Sequence, residues 1–231
     1  ILQGVHLYVA NPLYKSPNPS LKNNQDWSET DLEALICDEI PATAYQPIGD
    51  RALFDAEYAH WGDSGPARDH YRIGWRYMAA NGNERTLFAT ILPRGATHIH
   101  GIYSVGAPIG GLRSLTVTAG FLASLTADFA VRSAPKSTIT AAVLNRQPIL
   151  LDHPLEPELL LRTLRLNSLT NAYADLWREM FELHFTADSW AGGQDRGNRL
   201  ALGEVGQEWT ASTPLRIAQD RRQALVEVDA L

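Results

Sequence analysis

Residues Tyr71–Val105 read YRIGWRYMAANGNERTLFATILPRGATHIHGIYSV. Tyr71, Ile73, Trp75 and Tyr77 alternate with His70, Arg72, Gly74 and Arg76, the period-two pattern of a half-buried strand with a basic opposite face. Asn81-Gly82-Asn83 tolerates positive φ, so a hairpin turn is expected there. Thr86–Leu92 carries few polar side chains on either face and reads as a central strand. Pro93-Arg94-Gly95 breaks it, and His98–Val105 reads as a third strand.

On the N-terminal side, Val5–Val9 has the look of a short strand that stops at Asn11-Pro12. Residues 15–25 are rich in Pro, Asn, Ser and Lys and read as an exposed loop. Ser28, three residues before Asp31, makes a capping-box pattern, so a short helix is expected through Cys37. Residues 41–69 show little periodicity and suggest irregular structure with a packed aromatic such as Trp61. On the C-terminal side, Leu112, Leu115, Ala119, Leu122, Leu125 and Phe129 fall at helical spacing and predict one helix over 112–132. Residues 137–144 suggest another strand. Helix is expected from 158 to 185, with 167–171 as a possible break, then a glycine-rich loop over 186–213 and a last helix from about Pro214. Strands come first and helices second, the order of an α+β protein. We divide it into a strand-rich part, 1–150, and a helical part, 151–231.

A chain of 231 residues is long enough for a sizeable core. Its 45% hydrophobic and 20% charged residues are ordinary for a globular protein. No apolar run approaches the ~20 residues that span a bilayer, and no basic stretch followed by an apolar one marks a secretory leader. With one cysteine, Cys37, no internal disulfide is available, which fits a reducing cytoplasm. Ile1 in place of methionine, and Leu231 inside an apparent helix, read as the ends of a piece of a longer chain. The net charge of −6 weighs against a generic nucleic-acid binder, although net charge does not describe one face.

Several motifs invite chemistry. Asn11-Pro12-Leu13-Tyr14 is close to the Asn-Pro-Pro-Tyr of adenine methylases, but Leu13 replaces the second proline and no glycine-rich cofactor loop precedes it. A strand-ending turn is the simpler reading. His98 and His100, two apart, could start a zinc site in a metal-dependent hydrolase, or be structural or exposed histidines. No Ser-His-Asp order, Walker loop or dinucleotide fingerprint occurs.

The order of these pieces resembles the region after the catalytic domain of large adenine-specific DNA methyltransferases from restriction-modification (type IIG-like) and phage-defence systems. Glu84-Arg85-Thr86-Leu87-Phe88-Ala89-Thr90-Ile91-Leu92-Pro93 is the strongest piece. A helix over 121–132 before the basic turn Lys136-Ser137-Thr138 resembles the family, as do a strand leading to Pro148, the stretch Arg165–Trp177 and the terminal QALVEVDAL. The resemblance implies a DNA target-recognition module, non-catalytic by itself. Its S-adenosylmethionine cofactor would bind in the parent's separate catalytic domain, and its partners would be double-stranded DNA and the parent's other domains. DNA contact is expected from loops 15–25, 94–98 and 132–138. The candidates are Lys15, Lys22, Asn23, Asn24, Arg72, Arg76, Arg132, Lys136, Ser137 and Thr138. The acidic balance favours an alternative, a scaffolding module that joins other domains without reading bases.

Overall fold

The structure, a computed structural model, describes residues 1–23, 25–61, 65–79, 82–107, 111–133, 137–192 and 201–231. It is α+β. Two small antiparallel sheets lie in the N-terminal half, and most of the seven α-helices among the described residues lie in the C-terminal half. β1 (Lys15–Pro17) and β2 (Trp27–Glu29) form a hairpin. β3 (Arg72–Arg76), β4 (Ala89–Leu92) and β5 (Ile102–Val105) form the second sheet in the order β4-β3-β5. The helices are α1 (Arg51–Glu57), α2 (Gly111–Ala123), α3 (Leu125–Ser133), α4 (Ala141–Leu144), α5 (Glu156–Asn167), α6 (Ala174–Met180) and α7 (Ala218–Ala230). No single helix among the described residues is long and apolar enough to cross a membrane.

The three expected strands exist, but the middle one in space is β3. β4 is buried along its whole length because α2 covers it, and its outer edge is satisfied by side chains instead of a fourth strand. Asn167 Oδ1 accepts from the Ile91 amide at 2.9 Å and from Thr90 Oγ1 at 2.7 Å. Tyr173 donates its hydroxyl to the Ile91 carbonyl at 2.8 Å. An apolar run buried on both faces therefore looks central in sequence while lying at the sheet's edge. The basic opposite face expected of β3 is not there: Arg72 is 1% exposed.

Other local expectations also change. Gly4–His6 is a 3-10 turn, where Val5–Val9 suggested a strand. No helix follows Ser28, whose hydroxyl donates to Asn18 within the hairpin while Asp31 closes a turn on the Glu33 amide. α1 occupies part of the stretch expected to be irregular, with Asp50 accepting from the Ala52 amide as its cap. The single helix over 112–132 is two helices bent by 68°. Ser124 ends α2 and accepts the Ala127 amide as the cap of α3. Over 137–144, Thr138 makes one bridge to Met78 and the rest turns into α4. The break expected at 167–171 is real and separates α5 from α6.

α5 is the centre of the helical layer, with Leu160, Leu161, Leu164 and Leu166 fully buried. It packs on α2 and α7, and one buried apolar cluster includes residues from both sides of position 150. Gly120 lets α2 and α5 approach. A Cβ there would sit 2.3 Å from Thr163 Oγ1 and 2.9 Å from Leu159 Cδ1. Helix propensity alone favours Gly120→Ala by about 1 kcal/mol, but overpacking a core costs about 1–3 kcal/mol. We expect a net loss of about 1 kcal/mol in urea unfolding. A variant more stable than the parent would mean that Thr163 and Leu159 yield freely.

Candidate functional site

Arg72 faces Leu92 and Trp75 faces Ala89 across the β3–β4 pair, so this sheet has an Arg72 end and an Arg76 end. At the Arg76 end lies an open pocket of about 320 Å³ between the first residues of the chain and the 83–88 segment. Its wall is aromatic. The rings of Tyr8 and Tyr14 stack with centroids 4.7 Å apart, and Phe88 lies 5.0 Å from Tyr8. The wall forms because Asn11 turns the chain: its Oδ1 accepts the Leu13 amide at 2.9 Å, and Tyr8 pairs with Asn11. That turn brings two tyrosines six positions apart face to face. Asn11-Pro12-Leu13-Tyr14 thus serves as a turn, with its carboxamide oxygen committed to the backbone.

Two cations lie on this wall. The Arg76 guanidinium carbon sits 4.3 Å from the Phe88 ring centre, and Lys15 Nζ sits 5.1 Å from that of Tyr14. Arg76 also donates through Nε to the Leu7 carbonyl at 2.9 Å. Burial lowers the pKa of Arg76, yet an arginine stays charged. Neither cation has a carboxylate within ion-pairing distance among the described residues. Tyr14 donates its hydroxyl to Glu29 at 2.8 Å. Burial and that bond push its pKa up to about 12, so its ring stays neutral. Tyr8 is raised too, by burial and then by the charge of Glu84. A cation over an aromatic ring gains only about 0.5–1 kcal/mol at an exposed site. A charge-assisted hydrogen bond is worth about 1.5–3 kcal/mol. A phosphate that hydrogen-bonds Lys15 therefore competes with the ring for it.

The pocket's rim is held by α3. Arg132 donates to the carbonyl of Glu84 at 2.7 Å and to Thr86 Oγ1 at 2.9 Å, and also bonds the Asn83 carbonyl. It pairs with Asp128 at 3.0 Å. Asp128 Oδ1 in turn accepts the amides of Thr86 at 2.7 Å and Leu87 at 2.6 Å. Arg85, which also lines the pocket, is turned to Asp229 at 3.8 Å. Ser137 and Thr138 lie beside the same end of β3, where the Ala79 amide bonds the Ser137 carbonyl and Ile139 bonds Tyr77. Lys22 and Asn23 are exposed on the β1–β2 hairpin loop that follows Lys15. There Asp26 gathers Asn18, Ser20 and the Lys22 amide. Those three bonds lower its pKa.

Among the ten candidates, the fold thus brings Lys15, Arg76, Arg132, Ser137 and Thr138 to one end of the sheet. Arg72 is at the other end, buried, donating to Tyr58 and to the Ala96 carbonyl. Asn24 and Lys136 lie outside the described residues. Sequence reasoning missed Tyr8, Tyr14 and Phe88 as site residues; the available signal was Tyr8 and Tyr14 at short spacing around a proline turn. His98 is tied to Ser104 Oγ at 2.8 Å and its pKa is lowered by burial, while His100 packs on Tyr77. No three His, Cys, Asp or Glu side chains gather as a metal site among the described residues. Scans of protein-family models, curated proteins and solved structures find no match to this chain.

Proposed function

We propose that this chain is a DNA recognition module of an adenine-N6 DNA methyltransferase of the restriction-modification or phage-defence type. It works in the cytoplasm and does no chemistry by itself. The observation that carries the reading is the pocket at the Arg76 end, where Lys15 and Arg76 stand unpaired by carboxylates over Tyr14 and Phe88. Two cations lining one pocket suit phosphates, and the ring wall suits the face of a sugar or a base. The resemblance of ERTLFATILP supports the same assignment, since its first two residues, Glu84 and Arg85, line the pocket. S-adenosylmethionine and the methyl transfer belong to a separate catalytic domain.

The test is fluorescence anisotropy of the purified chain with a labelled DNA duplex at several salt concentrations. Lys15→Ala is expected to weaken binding across all sequences and to reduce the slope of log affinity against log salt by about 1. Lys136→Ala carries the same expectation from its place in the basic turn. Affinity and slope unchanged in Lys15→Ala would reject this pocket as the DNA contact.

A further inference from the structure

Charge and exposed apolar surface gather in one stretch of this chain. Between Asp31 and Glu57 lie seven carboxylates and a single cation, Arg51. Taking these from the chain's 26 acids and 20 bases leaves 19 of each, so the whole net charge of −6 belongs to this stretch. The same stretch exposes Ile48 by 96% and Ile40 by 84%, with Ile36, Tyr45 and Leu53 also at least half exposed. None of residues 36–57 is buried. Single exposed apolar side chains are ordinary, but five within one stretch, of which Ile40 lines a groove, are the mark of an interaction surface.

The groove is about 580 Å³. Ile40, Pro47 and Phe54 line it from the acidic stretch, and Leu13 and Tyr173 line it from the body of the fold. Its charged lining is Glu39, Arg51 and the ion pair of Asp55 with Arg68 at 2.5 Å, so the acidic excess comes from the rest of the 31–57 stretch. Arg68 is 8% exposed, and its Nε has no acceptor among the described residues.

We propose that this face docks a basic polypeptide segment with apolar side chains, contributed by a partner protein. Isoleucine, proline and phenylalanine in the groove call for apolar anchors, and the acidic 31–57 stretch that supplies them selects lysine and arginine between those anchors. Nucleic acid is repelled by the same carboxylates. A second copy of this chain meeting in a two-fold contact would set the acidic stretch against itself. The groove is also lined by Pro93, Ala96 and Thr97, just beyond β4 at the Arg72 end of the sheet. It is therefore at the opposite end from the Lys15–Arg76 pocket, and the inference does not rest on the DNA reading.

Short labelled peptides test it against the purified chain by anisotropy. One alternates Lys with Leu, a second Glu with Leu, and a third Lys with Ser. Only the Lys/Leu peptide is expected to bind. The double variant Ile40→Ser, Ile48→Ser is expected to weaken it by about tenfold or more. Glu39→Gln with Asp50→Asn is expected to weaken it severalfold and flatten its salt dependence. Both sets change exposed or half-exposed side chains, so an unchanged melting temperature accompanies the loss. Equal binding of the Lys/Ser peptide, or full binding by the isoleucine variant, overturns the proposal. Self-association that disappears in the isoleucine variant, seen by sedimentation, overturns it in favour of a second copy. Loss of DNA affinity in Lys15→Ala, or its absence, leaves these outcomes unaffected.

Discussion

Arg165→Met is expected to remove about 3–5 kcal/mol of folding free energy, although methionine is a good helix former and fills most of the volume. Arg165 lies on α5 and is fully buried. Its guanidinium donates to the carbonyls of Thr213 at 2.8 Å, Leu202 at 2.7 Å, and Ala201 and Ser212 at 3.1 Å. Among the described residues no carboxylate pairs with it, and burial lowers its pKa to about 10. Those four carbonyls belong to residues 201–213, which contain no helix or strand and cannot satisfy themselves through regular structure. The arginine is what gives that segment its course over α5. Removing it strands several buried acceptors at about 1–3 kcal/mol each, less whatever water recovers. Set against a typical net stability of about 5–15 kcal/mol, the loss is large. Arg165→Lys should fall between, because an ammonium is a point donor and cannot span carbonyls that a planar fork reaches together. Urea midpoints of the three proteins measure this. A midpoint for Arg165→Met equal to that of the parent would show that the segment is held by its apolar side chains alone.

Asp128→Ala is expected to cost about 2–4 kcal/mol and to loosen the candidate pocket at the same time. Asp128 is 3% exposed and faces the start of the Thr86–Leu92 run, accepting two successive amides there while also pairing with Arg132. Alanine leaves two buried donors without an acceptor and a guanidinium without its anion. Arg132 holds the carbonyls of Asn83 and Glu84, so the rim of the pocket loses its support too. Asp128→Asn keeps an acceptor oxygen and should lose less. Hydrogen exchange at Thr86 and Leu87 separates the two effects: it should quicken in both variants, and more in the alanine variant. If it is unchanged in Asp128→Ala, the carboxylate is not what orders the rim. The DNA affinity of Asp128→Ala should then also equal that of the parent.

The parts of this protein legible in sequence are those set by local physics. The period-two pattern around Trp75 located β3, and the apolar 3.6 spacing located α2, α5 and their neighbours, because burial of one face leaves a periodic mark. The turn at Asn11-Pro12 and the break after Asn167 were also visible as turn and cap chemistry. What was misread had a non-local partner. Arg72 looked like a surface cation because alternation cannot report that Tyr58 and Ala96 wait for it inside. Ser124 fell within a continuous apolar stripe, and only the 68° bend of the packed helices shows that its hydroxyl caps a new helix. Residues 36–57 lack periodicity because neither face of the stretch is buried.

The same division holds for the site. Lys15, Arg76 and Arg132 could be chosen from sequence as basic residues on turns and strands, and the α+β order could be read from the succession of strands and helices. Sequence could not tell that Arg132 works as a brace while Lys15 has no carboxylate partner among the described residues, since both are simply charged residues near a turn. Tertiary structure decides this by distance and desolvation: a guanidinium within 3 Å of Asp128 and of two carbonyls is spent on the fold, whereas an ammonium over a tyrosine ring is held by a weak attraction with which a phosphate can compete. Pairing across long sequence separations leaves no periodic trace, so only the folded chain shows which charges are already taken.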